Sequence, residues 1–203
     1  MRPDYGSLSD GDLATLAVGG ADAAYAEIVR RHRSHVYRVI LGNVADADEA
    51  LDLTQETFVS AHGALRRYDP ARPMRGWLAA IALNKCRDWG RRRTVRRFFT
   101  FARDIDDAAE AIADDRPDPE RVAGDRQQLA RLRRAIADLP AALREPLVLH
   151  AVEGMSQAET ASVLRITGKA VETRLRRARI RLEEALGRRS ARGGPGSRSA
   201  SAD

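Results

Sequence analysis

At 203 residues the chain is long enough for one ordinary domain or two small ones, and with 32% charged but only 5% aromatic residues it is unsuited to a strand-rich fold. Its net charge of +6 favours a polyanionic partner, though it says nothing about fold. A single cysteine, Cys86, excludes an intramolecular disulfide and fits a reducing compartment. The N-terminus has no apolar signal-type core and no stretch approaches the length of a membrane span, so a cytoplasmic location without membrane insertion is expected. Arginine far outnumbers lysine, which suits phosphate and guanine contacts, but a GC-rich genome produces the same bias and it decides nothing.

Ala, Leu, Arg and Glu dominate and period-two alternation is scarce, so every element is expected to be helical. Ser9 is a plausible cap for a first helix over Asp10–Val18, which Gly19 and Gly20 end. Tyr25, Ile28, Val29, His32, Val36, Val39 and Ile40 recur at three- and four-residue spacings and predict a second helix, closed by Gly42 and Asn43. Asp46, with Glu49 three residues on, predicts the start of a third helix with an apolar stripe of Leu51, Thr54, Phe58, Ala61 and Leu65. The stretch Arg66–Gly76 carries an Asp-Pro pair and a second proline and reads as a loop. Helix resumes at Trp77 and runs to about Arg93, with Leu78, Ile81, Ala82 and Cys86 inward. These elements predict a first compact domain over residues 20–97, preceded by a separate N-terminal segment, 1–19.

The composition then changes. Asp104, Asp106, Asp107, Glu110, Asp114, Asp115, Asp118 and Glu120 crowd a stretch that ends at Pro117 and Pro119, predicting a flexible acidic linker over 98–124. Helical patterning returns near Asp125 with Leu129, Leu132, Ile136 and Leu139, and a further helix over Pro140–Val152 must accommodate Pro146. Ser156 and Glu159 form an S-x-x-E capping signature for Gln157–Leu164. After the turn Arg165-Ile166-Thr167, a basic helix reaches about Leu186 with Val171, Leu175, Ala178 and Leu182 as its core stripe. Residues 125–187 therefore predict a second small domain, and the Gly/Ser-rich residues 188–203 a disordered tail.

Two short capped helices, a tight turn and a basic second helix describe a helix-turn-helix. Its outward face carries Lys169, Glu172, Thr173, Arg176, Arg177 and Arg179. Arg and Thr there suit base edges, and Lys169 and Arg179 suit phosphates. An ordinary amphipathic hairpin with a solvated basic face is the bland alternative. The two caps and the spacing of the turn favour DNA binding.

The segment LPAALREPLVLHAVEGMSQAETASVLRITGKAVETRLRRARIRLEEAL resembles the fourth domain of sigma factors of the extracytoplasmic-function (ECF) group of the sigma-70 family. Independently, DADEALDLTQETFVSAHGALRRYDPARPMRGWLAAIALNKCRDWGRRR resembles that group's second domain. The resemblance implies an all-α, two-domain subunit that binds RNA polymerase core, recognises a two-part promoter and helps open it for a stress or envelope-response regulon. It implies that Asp48, Asp52, Gln55 and Glu56 dock on the clamp coiled coil of the polymerase, and that the flap of the large subunits is a second contact. The acidic spacing at i, i+4 and i+8 suits a basic partner helix. It further implies a minus-ten and melting surface of Tyr68, Trp77, Asn84, Arg87, Arg91, Arg92 and Arg93, with Tyr68 at the pocket and Asn84 on a flipped base. Trp89 either packs inward or stacks on a base. The helix-turn-helix residues would read the minus-thirty-five element, and an anti-sigma factor is an implied partner.

Rival classes are poorly served. The chain carries no P-loop, G-x-S-x-G or H-E-x-x-H, and His32, His35 and the distant Cys86 make a poor zinc set, so no catalytic residue, cofactor or metal is expected. A stand-alone dimeric regulator fits the helix-turn-helix equally, but it needs a ligand pocket where this chain offers an acidic stripe, an aromatic loop and an arginine cluster.

Overall fold

The computed structural model describes residues 4–103 and 122–192. The acidic run from Asp104 to Glu120, with Pro117 and Pro119, and the tail from residue 193 onward lie outside the described residues. Among the described residues every regular element is helical: α1 Asp10–Val18, α2 Asp22–Val44, α3 Ala47–Ala64, α4 Met74–Arg103, α5 Val122–Ala137, α6 Ala141–Leu147, α7 Gln157–Leu164 and α8 Gly168–Arg192. No helix among them is long and apolar enough to cross a membrane.

The chain ends its helices by local chemistry. The Ser9 hydroxyl accepts the Asp12 N–H at 3.1 Å to open α1. At the other end of α2 the helix runs through Gly42 and Asn43 to Val44, and Ala45 breaks it in a left-handed conformation with φ of 56°. The Asp46 carboxylate then accepts the N–H groups of Asp48 and Glu49 to start α3. Helix α4 begins at Met74 rather than Trp77, because the Pro73 carbonyl already accepts the Gly76 and Trp77 N–H groups and Met74 is buried as an anchor. It continues to Arg103, so the first six residues assigned to the linker are helical, as are the last three in α5.

Helices α2, α3 and α4 pack around Ile28, Val36, Val39, Ile40, Leu53, Phe58, Leu78 and Leu83. The face of α3 that meets this core is Ala50, Leu53, Thr54, Thr57, Phe58 and Ala61, spaced three and one residues apart. Leu51, placed on the core stripe from sequence, is rotated off it and 41% exposed. Leu129 and Leu132 are likewise exposed on α5. Buried Thr54 and Thr57 satisfy their hydroxyls on the carbonyls of Ala50 and Leu53.

The N-terminal segment is part of this domain. Leu13 is fully buried in the core, and the Arg31 guanidinium on α2 donates to the backbone carbonyls of Tyr5, Gly6 and Leu8. Arg31 also pairs with Asp10 and Glu27. One arginine thus ties together three carbonyls of the turn Tyr5–Ser7 and its flank, of which that of Tyr5 also accepts the Leu8 N–H.

Helices α5 to α8 form a second cluster on Leu139, Leu143, Leu147, Val171, Leu175 and Ala178. Pro146 lies inside α6, and the backbone widens directly after it into a π turn over Val148–Val152. The two clusters touch. Leu149 and Met155 belong to the first core, and the Cα of Gly42 on α2 lies so near Val148 that a Cβ there would meet both its methyls at 3.0 Å.

Replacing Arg31 by Ala should remove its bonds to these carbonyls and its pairs with Asp10 and Glu27, and lower the unfolding free energy by about 2 kcal/mol. Denaturant unfolding measures the loss, and amide exchange should show faster opening across residues 5–18.

Candidate nucleic-acid interface

The helix-turn-helix is built by caps at both of its joints. Ser156 and Glu159 form a full capping box: the Ser156 hydroxyl accepts the Glu159 N–H at 3.2 Å, and the Glu159 carboxylate accepts the Ser156 N–H at 2.8 Å. At the turn, Arg165 takes a left-handed conformation with φ of 54°, and the Ile166 N–H returns to the Ala161 carbonyl. Ile166 packs against the C-terminal core, which fixes the angle between α7 and α8. The Thr167 hydroxyl accepts the Ala170 N–H at 3.2 Å and starts α8.

Helix α8 buries Val171, Leu175 and Ala178 and turns Lys169, Glu172, Arg176, Arg177 and Arg179 to solvent, with Thr173 partly covered. Lys169 pairs with Glu172 at 2.9 Å, and the Thr173 hydroxyl donates to the Lys169 carbonyl. The N-terminal turn of α8 therefore presents one compensated pair, and its middle turns the guanidinium groups of Arg176, Arg177 and Arg179 to solvent.

The second basic surface runs along α4. Tyr68 is 8% exposed, its ring tilted against Trp77 at 5.2 Å and its hydroxyl donating to the Arg72 carbonyl at 2.7 Å. It is a buried support for the loop Tyr68–Pro73 rather than an open platform. The loop is further set by the Asp69 carboxylate, which accepts the Ala71 N–H. Asn84 is exposed and lies seven residues beyond Trp77 on the same side of α4, about 10 Å along the axis. Arg91, Arg92 and Arg93 are exposed. Arg91 pairs with Asp88 and Arg93 lies over the Trp89 ring at 5.0 Å. Trp89 packs against the core, the inward alternative of the two open for it.

Arg87 is engaged elsewhere. Its guanidinium is bidentate to Glu145 on α6, at 2.7 and 2.6 Å, and its third contact is the Asn84 side-chain oxygen at 3.0 Å. On α3, Asp48, Asp52, Gln55 and Glu56 are all exposed and form a continuous acidic face, with Leu51 and Val59 as its apolar components. Glu56 approaches Lys85 at 3.5 Å. His32 and His35, considered for zinc, take separate carboxylates, Asp10 and Glu153.

Sigma-70 region 2 matches residues 28–96 and sigma-70 region 4 matches residues 129–182. The RNA polymerase sigma factor CnrH of Cupriavidus metallidurans is 39% identical over 180 residues, covering 88% of this chain and 94% of its own. The ECF RNA polymerase sigma factor SigM of Mycobacterium tuberculosis is 30% identical over 181 residues, covering 88% and 85%. The structure of CnrH in complex with the cytosolic domain of CnrY superposes with a TM-score of 0.66 at 34% identity, covering 88% of this chain and 97% of that one.

The chain belongs to the sigma-70 family, in the ECF group of RNA polymerase sigma factors. In this sigma factor the boundary between regions 2 and 4 holds residues that sequence reading missed. Glu153, at the end of the π turn, has no exposed side-chain surface. Its carboxylate meets His35 Nδ1 at 2.5 Å, Arg38 Nε at 2.8 Å and Arg75 Nη2 at 3.2 Å, and Arg75 also donates to the Glu153 carbonyl. Arg144 crosses the same boundary to the Asn43 side-chain oxygen at 3.3 Å. No local pattern announces these contacts. The one signal was Pro146, which marked a helix that could not run straight.

Burial alone pushes the Glu153 carboxyl upward, but hydrogen bonds and charge from His35 and Arg38 outweigh it and hold the group lowered to about 2. A lowered carboxyl contributes stability that is complete above its ordinary value of 4.5 and vanishes as the pH falls toward 2. The difference in unfolding free energy between the sigma factor and its Glu153→Gln variant should accordingly be constant above about pH 5 and shrink below it. A difference independent of pH down to 2.5 would count against this carboxylate as the titrating group.

Proposed function

We propose that this sigma factor docks on polymerase core through the acidic face of α3, with Asp48, Asp52, Gln55 and Glu56 against the clamp coiled coil and region 4 against the flap. Residues 20–97 form the core-binding and melting domain, and residues 125–187 the upstream reader. On α4, Asn84 takes an extruded base of the minus-ten element, Tyr68 and Trp77 brace the loop beside it, and Arg87, Arg91, Arg92 and Arg93 hold phosphates of the displaced strand. On α8, Glu172, Thr173, Arg176 and Arg177 read the minus-thirty-five element while Lys169 and Arg179 contact its backbone. The polymerase supplies the chemistry, so the chain is not itself an enzyme, and it works in the cytoplasm on a stress or envelope-response regulon. An anti-sigma factor restrains it, in keeping with the complex in which CnrH is found. The observation that carries this reading is the capped helix-turn-helix whose guanidinium groups stand in solvent beside a second, separate basic surface on α4.

Pull-down with bacterial polymerase core, followed by transcription from a pooled promoter library, tests it. Core binding with initiation at a shared two-part motif supports the reading, and a folded chain that never binds core refutes it. Within that assay Asn84→Ala should leave core binding intact and depress promoter opening, read by permanganate reactivity of unpaired thymines; unchanged opening would remove Asn84 from the pocket. Arg176→Ala should cost about 1–3 kcal/mol at a single upstream base position. An equal loss on every upstream sequence would make Arg176 a phosphate contact instead.

A further inference from the structure

One half-buried guanidinium in this chain has no carboxylate of its own. Arg144 on α6 directs Nε to the Asn43 side-chain oxygen and Nη1 to the carbonyls of Ala137 and Leu139 at the end of α5. These neutral acceptors use Nε and Nη1, and an arginine still carries donors on Nη2. Among the described residues Nη2 has no acceptor, and no carboxylate lies within ion-pair distance of the group. Burial draws its pKa down by more than the nearby acidic groups of Cys86, Glu145 and Asp138 lift it. Holding the end of α5 explains Nη1 and gives Nη2 nothing to do.

Arg144 lines a groove of about 620 Å³ between α4 and α6, within the roughly 300–1,000 Å³ range of small-ligand sites. Three guanidinium groups, those of Arg87, Arg91 and Arg144, share it with one carboxylate, that of Glu145. Arg87 and Glu145 satisfy each other in a bidentate pair. Arg91 pairs with Asp88, but both side chains of that pair are exposed, so it yields readily to a better placed anion. One guanidinium on each wall is thus left to receive negative charge. The floor between them is Gly90. Glycine is costly inside a helix, and no close approach calls for it here, because a Cβ would meet nothing within 4 Å. Its missing side chain keeps the groove open. At the rim, Val95 is 54% exposed, an apolar side chain without cover.

We propose that this groove binds a small phosphorylated molecule, with the phosphate between Arg144 and Arg91 and the carbon skeleton over Gly90, Val95 and Ala141. A phosphate accepts paired N–H bonds from planar guanidinium groups and carries the charge that Arg144 lacks. No aromatic side chain lines the groove, so the skeleton it suits is aliphatic rather than a stacked base. The site stands on the geometry of α4 and α6 and not on the sigma reading. On that reading, a bound ligand also withdraws Arg91 from the displaced strand.

Hexyl phosphate is the probe, titrated calorimetrically into the full chain at physiological ionic strength, where loose counterion contacts are screened. Binding at a single site is expected with a Kd of about 1 mM or tighter. Amide shifts should concentrate at Gly90, Thr94, Ala141 and Arg144. Gly90→Leu fills the groove, keeps every charge and raises helix propensity, and it should weaken binding at least roughly tenfold. Arg144→Gln should weaken binding to a similar degree, with circular dichroism reporting its fold; if it does not fold, Gly90→Leu decides alone. No binding to the unaltered chain, unchanged binding to Gly90→Leu, or shifts that settle on the exposed arginines of α8 would each overturn the site. A labelled single-stranded oligonucleotide separates a free phosphate ester from the backbone of a strand. Gly90→Leu is expected to bind the oligonucleotide as the unaltered chain does. A variant that loses the oligonucleotide, in a protein that ignores hexyl phosphate, would give the groove to the strand and overturn the small-molecule site.

Discussion

The arrangement of this protein turns on one buried carboxylate. Glu153 sits without solvent at the junction of two domains, and it is tolerable there only because His35, Arg38 and Arg75 surround it. Its partners come from α2 and from the first turn of α4, the two helices that also frame the core of region 2. Whatever orients α2 and α4 therefore also fixes the seat for region 4. The Arg31 clasp belongs to the same scheme, because it ties the N-terminal segment and α1 to α2.

Arginine serves four distinct purposes in this chain, and composition alone does not separate them. Arg31 closes backbone carbonyls. Arg38, Arg75 and Arg87 neutralise buried carboxylates across the domain boundary. Arg93 lies on an aromatic ring. The guanidinium groups of α8 and those at the outer end of α4 face solvent as a nucleic-acid partner would require. The net charge of +6 thus overstates the surface available to DNA in this arrangement, because part of it is spent inside the protein.

What was legible in the sequence was what is decided locally. Ser156, Glu159 and Thr167 act within three residues of themselves, so the helix-turn-helix could be bounded from its caps, and the acidic face of α3 could be read from its spacing. Leu51, Leu129 and Leu132 were misplaced because residue type suggested burial where helical angle denies it. Tyr68 was placed at the pocket by resemblance, and what the sequence did not tell is that its hydroxyl meets a carbonyl four residues away and its ring meets Trp77. The domain boundary was invisible for a different reason: its partners are 58 to 118 residues apart in the chain, and neither end carries a pattern that names the other.

The π turn at Val148–Val152 sets a phase between the two halves of region 4. Upstream of it α6 faces its own core with Leu143 and Leu147, and downstream the chain presents Glu153 to the neighbouring domain before Ser156 begins the helix-turn-helix. A regular α-helix advances about 100° per residue, so the widened turn offsets everything after it by a comparable angle relative to an unbroken helix. Pro146 stands just upstream of that offset, where it withholds the N–H that a regular ladder would direct to the Ala142 carbonyl. The rotational setting of α8 against the rest of the molecule is in this sense recorded in a single irregular turn of backbone.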